Sequence, residues 1–207
     1  MSPETSATVQ LLLRWFHIFS GIVWIGHLYF FNFVNVPFQG VLEKELKPRV
    51  NPPLLLRALW WFRWGAMLTL LFGLMLFAML YWPGGTYLFD YDGGLSRRGM
   101  WMLLGGLLGT IMWFNVWFVI WPAQKKIIGG MTGGTPAPPE VPKRALLFSR
   151  INTFLSAPML AGMIAASHQD VWSSMPMWAQ LLFIVLGLGA VHGAIKSSAN
   201  VGKSLTP

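Results

Sequence analysis

The sequence predicts an all-α integral membrane bundle of five transmembrane helices, with the N-terminus outside and the C-terminus in the cytoplasm. Three observations carry that prediction. Hydrophobic residues make up 55% of the 207 positions and charged residues only 11%, under half of the about 25% usual in soluble domains. Mean hydropathy is +0.54, and the apolar residues gather into five stretches near or above the about 20 residues that cross a bilayer as a helix. Trp occurs 12 times, and Trp concentrates where a side chain must be apolar at one end and wet at the other, as at a bilayer surface.

The spans follow in order as about 11–36, 59–82, 99–121, 145–167 and 178–195. The first is too long for a cleaved signal peptide, carries Arg14 and His17, and follows an acidic leader. Between the spans lie a polar connector over 39–53 with Pro52-Pro53, a second over 83–98 with Gly84-Gly85, Gly93-Gly94, Asp90 and Asp92, a Gly/Pro-rich turn over 129–142, and a short link over 169–176. With so little chain outside the membrane and no internal repeat, residues 1–207 read as one transmembrane domain.

Charge sets the orientation. Lys44, Lys47, Arg49, Arg57, Lys125, Lys126, Lys143, Arg144, Lys196 and Lys203 fall on one side, against Arg14, Arg97 and Arg98 on the other. Basic loops stay in the cytoplasm, and the chain is expected in a bacterial inner membrane as a multi-pass protein. The net charge of +8 belongs to that topology, so no nucleic-acid partner is expected. The absence of cysteine excludes disulfides, thiolate zinc sites, iron–sulfur clusters and covalent haem attachment.

All seven acidic residues (Glu4, Glu43, Glu45, Asp90, Asp92, Glu140 and Asp170) lie outside the spans. Ion-coupled transport and paired-carboxylate catalysis lose their usual device. The intramembrane ionisable residues are His and Arg. His17 falls in the outer half, His168 at the outer surface, and His27 and His192 in the inner half. Ten residues of helix, about 15 Å, separate His17 from His27, too far for one metal but suited to two stacked sites. Imidazoles on bundle helices with small residues beside them (Gly21 near His17, Gly189 and Gly193 around His192) are the pattern a b-type haem protein uses; the alternative is hydrogen-bonded packing histidines, above all for His168. His17, His27 and His192 are the candidate iron ligands, with His168 a further candidate at the interface. Arg14 and Arg63 are candidates for the haem propionates, with Arg150 as the alternative to Arg63. Asn115, Arg150 and Asn152 form a candidate polar substrate pocket on the cytoplasmic side. Gly105 and Gly109 read as a helix-packing pair, and Trp60, Trp61, Trp64, Trp101 and Trp121 as an interfacial belt.

Four stretches carry a resemblance. Arg14-Trp-Phe-His17-Ile-Phe-Ser-Gly21-Ile-Val-Trp24-Ile-Gly26, Trp61-Phe-Arg63-Trp64, Gly109-Thr-Ile-Met-Trp113-Phe-Asn115-Val-Trp117-Phe-Val-Ile-Trp121-Pro122-Ala-Gln124-Lys125-Lys126, and Ser149-Arg150-Ile-Asn152-Thr-Phe-Leu-Ser156-Ala-Pro158 followed by His168 resemble, in order, the membrane domain of the membrane-bound, cytochrome-linked urate hydroxylases. The first-helix His in a Trp/Gly-rich span resembles more weakly the membrane protoporphyrinogen oxidases. The resemblance implies an oxidoreductase whose full-length members continue into further helices and end in a c-type cytochrome. Without cysteine and with five spans, this chain is expected to be a truncated form lacking that cytochrome. His27 departs from the family pattern, so a haem there would be specific to this branch.

The function expected is a membrane-embedded redox protein holding one or two b haems and passing electrons to a partner membrane or cytochrome subunit or to quinone, with a purine or a quinol as substrate. The alternative is a non-catalytic structural or assembly subunit of a larger membrane complex.

Overall fold

A computed structural model of the chain describes residues 2–81 and 87–201; Trp82, Gly84-Gly85 and Lys203 lie outside the described residues. Helix α1 (Pro3–Tyr29) opens with Ser2 accepting the Thr5 N–H at 3.2 Å and Pro3 in its first turn. It continues through a π-helical segment, Phe30–Asn35, into α2 (Val36–Val41). Pro37 explains the wider turn. It has no N–H, and its ring crowds the carbonyl four residues back; the Val36 N–H instead reaches Phe31. The same device recurs further on, where α4 (Arg97–Phe114) passes through the π segment Asn115–Ile120 into α5 (Trp121–Met131), with Pro122 just beyond and the Trp121 N–H on Val116. Between them runs α3 (Lys47–Tyr81), and after them α6 (Glu140–Ser167), the short α7 (Gln169–Ser174) and α8 (Met177–Ser198).

Four of these rods are long and apolar enough to cross a bilayer: Pro3–Val41, Lys47–Tyr81, Arg97–Met131 and Met177–Ser198. They hold the first, second, third and fifth expected spans. The fourth expected span lies in α6, which is 28 residues long but less apolar. Its first three turns carry Glu140, Lys143, Arg144 and Arg150, and its middle buries Asn152, Thr153, Ser156, Gly162 and several alanines. A helix surrounded by others needs small and hydrogen-bonding residues more than lipid-facing ones. Its closest neighbour is α4, at a glycine pair. A Cβ on Gly162 would stand 2.8 Å from both the Gly105 nitrogen and the Trp101 carbonyl oxygen, so the two backbones meet there. Gly105 therefore packs as the sequence suggests, but against Gly162. Gly109 touches only the Met159 side chain.

The helices run further than hydropathy predicts. Of the expected 39–53 connector, only 42–46 lies between helices. Gln39 on α2 and Asn51 on α3 exchange two amide hydrogen bonds, at 2.7 and 2.9 Å, which holds the start of α3 against α2. Pro52 and Pro53 thus sit inside α3, where the reading of paired prolines as a helix-free connector fails. The Asn51 amide also contacts the Met131 sulfur at 3.9 Å, which brings the start of α3 and the end of α5 to the same end of the bundle. Lys44, Lys47, Lys125, Lys126, Lys143 and Arg144 gather there. At the opposite end, residues 87–96 form a tight turn, with Gly93 at φ 82 where a side chain would be strained. Ser96 ties that turn to α4, donating to the Tyr87 carbonyl at 2.6 Å and accepting the Gly99 N–H at 2.8 Å.

Two tryptophans of the expected belt sit elsewhere. Trp101 is 6% exposed and packs edge-on against Trp172 at 5.3 Å, so it belongs to the interior. Trp121 lies half-buried beneath Arg63. Trp60, Trp61 and Trp64 are exposed, as belt residues should be. The main core joins Trp24, Leu28, Phe62, Ala66, Met112 and Val116 from α1, α3 and the α4 rod.

Candidate functional site

The interior is threaded by a polar seam that a purely apolar bundle would lack. Asn115 donates to the Asn152 side-chain oxygen at 2.8 Å, and Asn152 donates to the Met112 carbonyl at 2.9 Å. Asn32, 0% exposed, donates to Leu28 and to the Ser149 hydroxyl at 2.8 Å. Tyr29 and Ser156 share a hydrogen bond of 2.9 Å. Hence α6 is tied to α1 at two levels and to α4 at a third. Both π segments carry one of these amides, Asn32 and Asn115; such widened turns recur at functional sites.

Several polar atoms in this region are buried without a partner among the described residues: Trp24 Nε1, Asn32 Oδ1, Arg63 Nε, Trp113 Nε1, Trp117 Nε1 and Arg150 Nη1. Native proteins leave few such atoms, and here all but one are donors. Register relates two of them. From the Asn115–Asn152 bond, Trp117 and Arg150 each lie two residues, or about 3 Å, closer to the basic end. Two residues is also about 200° around a helix, so Trp117, which packs edge-on against Trp64 at 5.6 Å, and Arg150 point away from the Asn115–Asn152 bond, and the unpartnered donors are spread through the bundle and not along one seam.

The four histidines do not converge. Among the described residues, no group of three or more His, Cys, Asp or Glu sits together as a protein-bound metal site would need. His17 lies between α1 and α3. Its Nδ1 is 2.9 Å from the Thr69 carbonyl oxygen, which requires the proton on Nδ1 and leaves the lone pair on Nε2. A Cβ on Gly73 would come within 3.0 Å of His17 Cε1 and 3.2 Å of Nδ1, so the ring occupies a notch that only glycine leaves. His27 and His168 bond their own helices, Nδ1 to Val23 at 2.7 Å and to Ile164 at 3.1 Å. His27 lines an open groove between α1 and α3 beside Gly26, Arg57 and Trp61. Tyr29, which faces α6, is about 200° around α1 from it. His192 is exposed on α8, its ring 6.4 Å from that of Phe154, and Gly189 and Gly193 meet nothing within 4 Å. His168 is exposed at the end of α6.

The arginines divide as well. Arg14, half-buried one turn before His17, has no hydrogen-bond or ion-pair partner among the described residues. Arg63 sits about 120° around α3 from Thr69 and turns to the Trp117 and Trp121 rings, at 5.1 and 4.1 Å. It thus faces α5 and not the His17 notch.

As a fit test for haem, an axial imidazole needs an orienting bond on one nitrogen and a free lone pair on the other. His17 meets both conditions, and the bond comes from a neighbouring helix, which fixes the ring more firmly than a bond to its own turn.

Sequence reading picked out Asn115, Arg150 and Asn152 but missed Asn32, Ser149, Tyr29 and Gly73. Asn32 was visible in principle, since an amide within Phe-Phe-Asn-Phe carries the same signal as Asn115. Ser149, Tyr29 and Gly73 depend on which helices become neighbours, and no local pattern reports that.

These features define a multi-pass helical membrane protein with a polar, arginine-bearing and tryptophan-rich interior. The family model for the urate oxidase N-terminal family matches residues 88–200, more than half of the chain, and the chain belongs to that family. The matched stretch contains Gly105, Asn115, Arg150, Asn152, Gly162, His168 and His192; Arg14, His17, His27 and Arg63 precede it. Searches of curated proteins and of solved structures gave no match.

Proposed function

We propose that the chain is a five-span inner-membrane redox protein, akin to the membrane domain of urate hydroxylase, that holds a b-type haem on His17. The observation that carries this reading is the His17 imidazole, anchored through Nδ1 to the Thr69 carbonyl and seated against Gly73. The gathering of basic residues at one end supports an outside N-terminus and a cytoplasmic C-terminus.

When bound, a b haem supplies one-electron redox chemistry. The protein's own part is positional. The bond from His17 to Thr69 sets the tautomer and orientation of the ring and raises its basicity as a ligand. Arg14, one turn away, places a positive charge near the ring, where low dielectric strengthens its effect on potential. On the basic side, the Asn115–Asn152 pair holds α4 against α6, and Arg150 lies two residues further along α6. The unpartnered Arg150 Nη1 is the group that would bind a carbonyl oxygen of a purine or quinol and orient it for electron loss. The electrons leave to a partner subunit or to quinone.

The test is anaerobic mixing of oxidised protein with a short-chain quinol or with urate, following the haem absorption. We expect one of these donors to reduce the protein in a saturable reaction. Arg150→Gln should slow that reduction about tenfold or more, the cost of a buried charge-assisted hydrogen bond, with haem content unchanged. If neither donor reduces a haem that dithionite does reduce, the redox assignment to these substrate classes fails.

A further inference from the structure

Arg63 and Lys125 reach one indole from two different helices. The Arg63 guanidinium carbon is 4.1 Å from the Trp121 ring centroid, and the Lys125 Nζ is 5.6 Å from it. The geometry follows from helix direction. Side chains lean toward the N-terminus of their own helix, so Arg63 on α3 leans toward the basic end while Lys125 on α5 leans away from it, and the two meet. Two cations at one ring repel, and neither has a hydrogen-bond or ion-pair partner among the described residues. Two donors beside them, Arg63 Nε and Trp117 Nε1, are also buried and unpartnered. The cluster therefore lacks an anion with several acceptor oxygens.

Position tells which anion. Trp60, Trp61 and Trp64, all exposed, lie on the same two turns of α3 as Arg63. Exposed Trp marks the level of the lipid headgroups, and these residues open the apolar stretch expected to span over about 59–82, on its basic, cytoplasmic side. Two cations on neighbouring helices at that level fit an anionic headgroup. We propose that Arg63 and Lys125, both against Trp121, bind the phosphate of an anionic phospholipid from the cytoplasmic leaflet. The site faces α5 and not the His17 notch, so it stands whether or not His17 carries haem.

The test uses full-length protein in mild detergent, read by native mass spectrometry and thermal melting with added phosphatidylglycerol, phosphatidylcholine or inorganic phosphate. Phosphatidylglycerol should appear as a bound adduct and raise the melting temperature, and the other two should do neither. Arg63→Gln and Lys125→Gln should each weaken phosphatidylglycerol binding about fivefold, the effect of removing one cation at an anionic surface. Lys125 is exposed, so its variant remains informative if Arg63→Gln does not fold. Undiminished phosphatidylglycerol binding in Lys125→Gln would overturn the proposal. So would equal stabilisation by phosphatidylcholine, or by inorganic phosphate, which would identify a free anion as the ligand.

Discussion

On the proposed haem assignment, His17→Ala is expected to leave the protein folded and nearly without haem, below about a tenth of the wild-type content. The size of the effect follows from what the ring does. Nδ1 is committed to the Thr69 carbonyl at 2.9 Å, so Nε2 is the one nitrogen free to bind iron, and no second histidine shares the α1–α3 interface at that depth. Thr69 lies inside α3, where its carbonyl keeps its helical donor, so the fold should lose only a small packing contact. Free imidazole in the buffer should restore part of the haem signal by filling the vacated notch. His168→Ala and His192→Ala, at exposed positions on α6 and α8, should keep wild-type haem. Pyridine haemochrome per mole of monodisperse protein makes the comparison. Full haem in His17→Ala would remove His17 from the ligand set.

Gly162→Leu is expected to be strongly damaging to the bundle. The added Cβ alone would stand 2.8 Å from Gly105 nitrogen and from the Trp101 carbonyl oxygen, and 2.9 Å from Gly105 Cα. Backbone atoms on the far helix cannot rotate away, so α4 and α6 must separate. That separation also strains the Asn115–Asn152 bond, about ten residues nearer the basic end of α6. Forced overpacking costs about 3 kcal/mol or more at such a contact, which for a chain of this length lowers the melting temperature by roughly 6 °C or more. Gly189→Ala, where a Cβ meets nothing within 4 Å, should melt as wild type. An unshifted melt for Gly162→Leu would show that the α4–α6 crossing is looser than described.

Much of the architecture was legible in residue order, because hydropathy and length report membrane helices directly. Four apolar rods and the clustering of Lys125, Lys126, Lys143 and Arg144 at one end could be read without coordinates. The helix ends could not. Pro52-Pro53 reads locally as a break, yet the Gln39–Asn51 amide pair carries α3 back past it to Lys47. Trp101 looks like a belt residue until Trp172, distant in sequence, is found against it.

The candidate site was legible in kind but not in grouping. Polar residues within apolar runs stand out, which is how His17, Asn115, Arg150 and Asn152 were found. Which face each residue occupies depends on helix packing. That packing separates His27 and His192, which residue counting places at similar depth, and it turns Arg63 toward Trp121. The interhelical partners Thr69, Gly73 and Ser149 belong to neighbours that sequence order does not identify.

The most direct measurement is the absorption spectrum of the purified wild-type protein in mild detergent, oxidised and then reduced with dithionite, with haem quantified against protein. The account predicts a b-type difference spectrum and one haem per chain. A folded, monodisperse and colourless protein would contradict it, and would leave the chain as a structural or assembly subunit whose unpartnered arginines and tryptophans await another protein.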